Sequence, residues 1–378
     1  MILTSEQTLI RDTARNFARE RLEPGAAERD RTAAFPSAEV EEMAKLGFLG
    51  MLVPERYDGV GADVVSLVLA MEEVAAGDGS CSTIMAVHNS TGCIPLLRFG
   101  SAEQKERFLK PMARGEMLTA FCLTEPEAGS DAGAIRTRAQ KRGNRYVLNG
   151  TKQFISYGAH AGLALVFAVT DPEAGKRGIS AFIVPTDTAG YKVAKIEKKL
   201  GQRACEAAQI VLEDLELTPD LLLGEEGEGY RIALSNLEGG RIGIAAQSIG
   251  MARSAYEAAL AYAKERKTFG TEIINHQAVA FRLADMAMQI EVARQMVLYA
   301  AGLRDAGQPC IKESSMAKLF ASEMAERVCF AAIQTFGGYG YLQDFPVERI
   351  YRDVRVTQIY EGTSDIQRLV IAREISRS

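Results

Sequence analysis

The chain has 378 residues and a formal net charge of −5; 47% of it is hydrophobic and 25% charged. That balance is typical of a folded protein, long enough for two or three domains, and argues against dominant disorder. Mild acidity without a basic block argues against nucleic acid or an anionic membrane surface as the main partner.

The first third reads as helices. Thr4 and Gln7 make a capping box, Ile10, Ala14, Phe17 and Ala18 share one face, and Pro24-Gly25 end the segment. Ser37 is placed to cap the next helix and Gly47 to stop it. The stretch "DVVSLVLAMEEVAAG" is apolar enough for burial, yet Glu72 and Glu73 interrupt it as a membrane span. Ser101 and Gln104 form a second capping box.

Near Met117 the texture changes to short runs of β-formers punctuated by Gly, Pro, Asn and Asp. Asn149-Gly150, between two such runs, predicts a hairpin. A small antiparallel barrel or sandwich is expected, ending near residue 228. After Tyr230 one long helix extends to about Arg266, with Gly239, Gly240, Gly243 and Gly250 each costing roughly 1 kcal/mol relative to Ala. Such a cost suggests close approach of another helix or a ligand. Two long amphipathic helices rich in Ala and Met follow, and a last one runs from about Ser364 to Glu374. The expected class is therefore α+β: an N-terminal helical domain (1–116), a middle β domain (117–228) and a C-terminal domain resembling a four-helix bundle (229–378).

The six cysteines stand apart without a CxxC pair, and the three histidines are scattered. No metal site is predicted, and free thiols without a signal-like N-terminus suit a reducing cytoplasmic setting.

Three stretches carry chemistry. "CLTEPEAGSDAG" (122–133) is a loop after a strand, whose backbone N–H groups suit a flavin edge or a phosphate, or simply a strand-ending turn. "KQFISYGA" (152–159) places an aromatic residue and a hydroxyl two positions apart, on one face of a strand. "QIYEGTSDIQR" (358–368) sets a carboxylate at a break before a helix. No convincing GxGxxG opens a βαβ unit, so a Rossmann site is not expected.

Together with "KKLGQRA", "GGRIGIAAQSIGMA", "AKERKTFG", "HQAVAFRLADM" and "QTFGGYGY", these stretches resemble, in order and over nearly the whole chain, the acyl-CoA dehydrogenase family of flavoenzymes. The resemblance implies FAD as cofactor. Its contacts would be Phe121, Cys122, Leu123, Thr124 and Ser130 in the first loop, Phe154, Ile155 and Ser156 on the strand, and Thr363 and Ser364 after the break. Arg266, Phe269, Gln277, Gln334, Gly337 and Gly338 would reach the FAD of a neighbouring subunit, which implies an oligomer, usually a homotetramer. Ser130, Glu238, Arg241 and Gly362 would contact the acyl-CoA. Glu361 would remove the pro-R α proton as the β hydride goes to flavin N5, giving a trans-2-enoyl-CoA. Desolvation at such a break raises a carboxyl pKa toward neutrality.

Some relatives carry the base at the position of Gly240, which this chain cannot use. Glu127 stands where the family often has Gly, and Phe154 and Ser156 where Trp and Thr are common. An electron-transferring flavoprotein is the implied electron acceptor, and the "GGRIGIA" helix resembles short-chain or branched-short-chain members most. The alternatives are unusual or non-redox acyl-CoA chemistry on the same fold, or a flavin-bearing scaffold.

Overall fold

The computed structural model describes residues 2–377, apart from the side chains of Leu237 and Glu238. The N-terminal part consists of α1 (Ser5–Phe17), α2 (Ala26–Thr32), α3 (Ser37–Lys45), α4 (Val64–Gly77), α5 (Gly79–Val87), α6 (Ile94–Phe99), α7 (Ala102–Gln104) and α8 (Lys110–Ala113). Both capping boxes form: Gln7 N donates to Thr4 Oγ1 at 3.1 Å, and Gln104 N to Ser101 Oγ at 3.1 Å. Ser37 differs from expectation. It is the first residue of α3, the N-cap is Pro36, and no side chain caps that end.

The middle part holds β1 (Thr119–Cys122), β2 (Arg138–Arg142), β3 (Arg145–Ser156), β4 (Leu163–Val169), β5 (Ile179–Pro185), β6 (Tyr191–Ile196), β7 (Ala207–Leu217) and β8 (Leu222–Leu223). They form one eight-stranded sheet in the order β6-β7-β3-β2-β4-β5-β8, and β1 adds to β4 in parallel. The sheet is otherwise mostly antiparallel, and β4 and β5 are buried along nearly their whole length, as strands covered on both faces should be.

Asn149-Gly150 does not make a hairpin; β3 runs straight through it. The turn lies earlier, at Gly143-Asn144 between β2 and β3. At Asn149 the register against β7 slips, so that Glu213 and Asp214 oppose a single residue in a bulge. Asp214 takes φ 45° there, and the Asn149 amide exchanges two hydrogen bonds with it, at 3.0 and 2.9 Å. The Asn-Gly signal thus marks irregular backbone, resolved here by a bulge instead of a reversal. A second slip at Gln153-Phe154 breaks the strict alternation expected of "QFIS".

The C-terminal part begins with α9 (Gly229–Glu265), followed by a tight hairpin of β9 (Lys267–Thr268) and β10 (Thr271–Glu272). Then come α10 (Gln277–Asp305), α11 (Ile311–Phe336), α12 (Pro346–Val354) and α13 (Ser364–Ile375). Helix α9 is the hub: it packs against α4, α10, α11 and α12, and Gly239, Gly240 and Gly250 sit where a neighbour approaches closely, whereas Gly243 faces open space, against expectation. A Cβ on Gly250 would lie 2.1 Å from the Glu72 carbonyl of α4. Glu72 and Glu73, which interrupt the apolar run of α4, are buried and paired. Arg294 of α10 meets Glu72 at 2.8 Å, while Arg253 of α9 and Arg15 of α1 meet Glu73 at 2.6 and 2.8 Å.

One buried ion pair shapes the first loop. Lys152 of β3, wholly buried, donates to Glu125 Oε1 at 2.8 Å and to the Leu123 carbonyl at 3.2 Å. Glu125 also accepts from the Arg136 and Thr137 amides at 2.6 and 3.0 Å. Burial lowers the Lys152 pKa, and Glu125 opposes that fall; Glu125 itself ends up lowered, because Lys152 and its amide donors outweigh its own burial. Removing one partner leaves an uncompensated buried charge, which costs about 3–5 kcal/mol. Glu125→Leu alone is therefore expected to lower the thermal midpoint sharply, whereas Glu125→Leu with Lys152→Met recovers most of the loss. Calorimetry on the two variants checks this.

Candidate functional site

Sheet and C-terminal helices meet in a cleft of about 1390 Å³. One wall is Phe121, Leu123 and Thr124 at the end of β1, with Ser130 in the loop beyond. The floor is Arg241 of α9 with Glu361 and Gly362 of the turn before α13. Lys176, Arg177, Arg231 and Arg373 line the rim and are exposed. The volume exceeds the range of a single small-ligand pocket, about 300–1,000 Å³, and has room for two ligands side by side.

Glu361 sits at φ 55°, in the left-handed region that non-glycine residues seldom enter. As a residue it is half-buried, yet its Oε2 is wholly buried and has no hydrogen-bond partner among the described residues. Burial pushes its pKa up to about 7, against the pull of the nearby Arg241 and Lys318 cations. The carboxylate occupies the space that a side chain at 240 would fill. A Cβ built on Gly240 would stand 2.6 Å from Glu361 Oε2. The "GG" of α9, costly in helix propensity, leaves room for the acid of another helix's turn.

The turn is held from both sides. Before it, Tyr360 Oη donates to Gln247 Oε1 of α9 at 2.5 Å. After it, Gln367 Nε2 donates to the Glu361 and Gly362 carbonyls at 3.1 and 2.9 Å, and Lys318 Nζ of α11 donates to the Gly362 carbonyl at 2.7 Å. The Thr363 hydroxyl caps α13 by accepting from Ile366 N at 3.3 Å. Each net hydrogen bond contributes about 0.5–1.5 kcal/mol, more with a charged donor, and a left-handed non-glycine residue costs about 1–3 kcal/mol. The donors together offset that strain.

The other expected contacts fall in several places. Cys122 is buried in the sheet, its thiol pushed up to about 12 by burial, and it does not line the cleft. Phe154, Ile155 and Ser156 also lie outside that lining: Phe154 takes φ 59° and is 64% exposed, Ile155 is buried and Ser156 half-buried. The loop spends two of its amides internally, since Glu125 N and Ala128 N each donate to the other's carbonyl. Glu127 is exposed and paired with Arg136. The Ser364 hydroxyl is buried and has no partner among the described residues. The Glu238 side chain lies outside the described residues.

Arg266, Gln334, Gly337 and Gly338 line a separate cavity of about 480 Å³ at the end of α9 and α11. Arg266 lies over the Tyr339 ring at 5.7 Å, and Gly337 takes φ 63° as α11 ends. Phe269 stands at the tip of the β9–β10 hairpin, 98% exposed, and Gln277 opens α10, also exposed. One chain therefore does not bring this group together with the cleft. Sequence reasoning did not pick out Lys318, Gln367 or Ser315, whose Oγ receives Arg241 Nη1 at 3.2 Å. A lysine amid the apolar residues of α11 is the one signal that could have found Lys318, and no such signal marks Gln367 or Ser315.

A helical N-terminal part, a β middle and a helical C-terminal part, meeting at a cleft whose floor holds a carboxyl raised to about 7 by burial, have the form of an enzyme active site. Acyl-CoA dehydrogenase N-terminal, middle and C-terminal domain families match residues 4–116, 120–215 and 227–376. The mouse mitochondrial short-chain specific acyl-CoA dehydrogenase is 46% identical, over 100% of this chain and 91% of its own. Butyryl-CoA dehydrogenase from Megasphaera elsdenii superposes with a TM-score of 0.98 at 40% identity, covering 100% of both chains. A chain from the structure of the electron transferring flavoprotein of Acidaminococcus fermentans also superposes with a TM-score of 0.98, at 44% identity and 100% of both chains.

The chain belongs to the acyl-CoA dehydrogenase family of FAD-dependent oxidoreductases. Gly240→Ala is expected to push the Glu361 carboxylate out of place and lower turnover at least about tenfold. Thermal stability should change little, because the group displaced is the far end of a side chain. Steady-state kinetics and a melting curve of the variant check both halves.

Proposed function

We propose that the protein oxidises a short or branched-short acyl-CoA to its trans-2-enoyl-CoA, with Glu361 as the base that takes the α proton. The observation that carries this reading is the buried Oε2 of Glu361, without a hydrogen-bond partner among the described residues, on the floor of the cleft. A base at pKa about 7 is half in its active form near neutral pH, where proton transfer is most efficient.

The residues fit a bound FAD beside the substrate: the cleft has room for two ligands, the Ser364 hydroxyl lacks a partner among the described residues, and Phe154 presents an exposed aromatic ring. Phe121, Leu123, Thr124 and Ser130 would hold the ring system, with Phe154, Ile155 and Ser156 from β3 and Thr363 and Ser364 from the turn. FAD, when bound, supplies the acceptor for the β hydride. This chain's own residues handle the proton. As the α C–H breaks, negative charge grows on the thioester oxygen. The Glu361 amide N–H has no acceptor among the described residues and is available to that oxygen. Arg241 and Glu238 would line the acyl-CoA path, and the cationic rim suits its phosphate-bearing end.

Arg266, Phe269, Gln277, Gln334, Gly337 and Gly338, remote from the cleft in one chain, would serve the FAD of a neighbouring copy in a homotetramer. The exposed Phe269 tip and the open glycines at the end of α11 support such a contact. The reading extends to three domains parted near residues 116 and 228, and to an electron-transferring flavoprotein as acceptor. It also includes a cytoplasmic setting, which the six free, buried cysteines suit. Among the described residues no helix is long and apolar enough to cross a membrane.

Anaerobic mixing of the holoenzyme with acyl-CoAs of graded length tests the reading: bleaching of the flavin band, strongest for short chains, is expected. Glu361→Gln should keep bound FAD and lose bleaching; a variant that still bleaches at the parental rate rules out Glu361 as the base. Because the base must be ionised, kcat/KM should rise with pH through about 7 and fall away below it. Lys176→Glu with Arg177→Glu should raise KM for an acyl-CoA about tenfold and leave the matching acyl-pantetheine, which lacks the nucleotide phosphates, nearly unchanged.

A further inference from the structure

Lys318 and Gln367 are both fully buried, and neither is part of the reaction described so far. Their side-chain donors converge on two consecutive carbonyls, those of Glu361 and Gly362. From this geometry we infer that Lys318 and Gln367 are positioning residues: they clamp the carbonyl side of the 361–362 peptides, fix the left-handed conformation of Glu361, and keep its amide and carboxyl free for the substrate. The inference rests on the proposed role of Glu361 as base.

Three observations agree. Glu361 and Gly362 both take positive φ, 55° and 90°, so the turn is a conformation the chain would not adopt unaided. Even apart from its φ, a side chain on Gly362 would displace the clamping amide, since a Cβ there would lie 2.7 Å from Gln367 Nε2. The clamp is therefore built around a glycine. The bonds also divide the turn's polar groups: both carbonyls are engaged, whereas the Glu361 amide has no acceptor and Oε2 no donor among the described residues.

The two donors differ in charge, and that makes them separable. Lys318 lies close enough to Glu361 for its cation to favour the carboxylate, while burial pulls the Lys318 pKa itself down to about 8. Gln367 is neutral and supplies geometry alone. The other charged groups around the carboxyl are Arg241 from α9, and Asp131, Lys176, Arg177, Arg231 and Arg373 along the rest of the cleft; Tyr360 precedes it on the turn, and Glu323 acts on Lys318. Removing Lys318 takes away one of the two cations that lower the Glu361 pKa, so that pKa rises. Removing Gln367 does not.

The test uses the FAD-loaded enzyme and butyryl-CoA, with Lys318→Met, Gln367→Met and Glu361→Gln side by side. Both clamp variants are expected to keep parental FAD content and a KM within about threefold, with kcat lower by about tenfold or more. The acid limb of the pH profile should move up by about half a unit or more in Lys318→Met and stay in place in Gln367→Met. A residue that merely supports the fold would lower stability or FAD content without this split. Parental kcat and profile in both clamp variants, with Glu361→Gln inactive, would overturn the inference while sparing the base. An active Glu361→Gln would instead overturn the base. Should Lys318→Met not yield folded holoenzyme, Gln367→Met decides by the same kcat criterion, and Lys318→Arg, which keeps the cation, must hold the parental acid limb.

Discussion

The missing side chain at position 240 is the constraint on which the site depends. Helix α9 is packed on nearly all sides, and only a residue without a Cβ leaves a space on it that a carboxylate can enter. Glu361 enters that space from a turn between two short elements, in a backbone conformation that costs energy and has to be held. Tyr360, Gln367 and Lys318 hold it, each from a different direction. The acid is thus desolvated by one helix and oriented by two others. Its neutral-range pKa follows from burial, moderated by Arg241 and Lys318.

That arrangement requires α9 to stay in register with its neighbours. The paired acids of α4 do this. Glu72 and Glu73 receive arginines from α1, α9 and α10, so four helices from the two ends of the chain converge on two adjacent carboxylates. Asp305, at the end of α10, adds a cap to α4 through the Val64 and Val65 amides at 2.7 and 3.1 Å. Buried pairs of this kind contribute little net stability, but breaking one partner is costly, and this favours a single packing arrangement. On the opposite wall, Lys152 and Glu125 play the same part for the loop after β1.

Much of the fold was legible because its signals are local. The capping boxes at Thr4 and Ser101 need only residues three apart, and the long helices of the C-terminal part announce themselves by periodicity. The misreadings have a common cause. Asn149-Gly150 carries a real preference for unusual backbone, but whether that becomes a reversal or a bulge is decided by β7, far away in sequence. Ser37 has the right side chain for a cap, one position too late. In the site, Glu361 stood out by its place at a break. Lys318 and Gln367 did not, because their partners are backbone carbonyls of another segment, and a carbonyl leaves no trace in residue identity. The segregation of Arg266, Gln334 and the glycines after α11 from the cleft agrees with the family resemblance, which assigns them to a neighbouring subunit, and is nothing periodicity could express.

A raised carboxyl pKa alone would not have singled out Glu361. Asp353, at the end of α12, is also buried, and burial pushes it up to about 7 as well. Its surroundings differ in kind. Asp353 Oδ1 accepts a hydrogen bond from the Gln202 amide, and Gln202 in turn links to Thr83 at 2.5 Å and to the Asp353 carbonyl at 3.1 Å. That carboxyl is a junction in a closed polar network joining three parts of the chain. Glu361 has an oxygen without a partner among the described residues and faces a cleft with room for two ligands. Two acids titrate in the same range for the same reason, and what assigns chemistry to one of them is the empty side of its hydrogen-bonding shell.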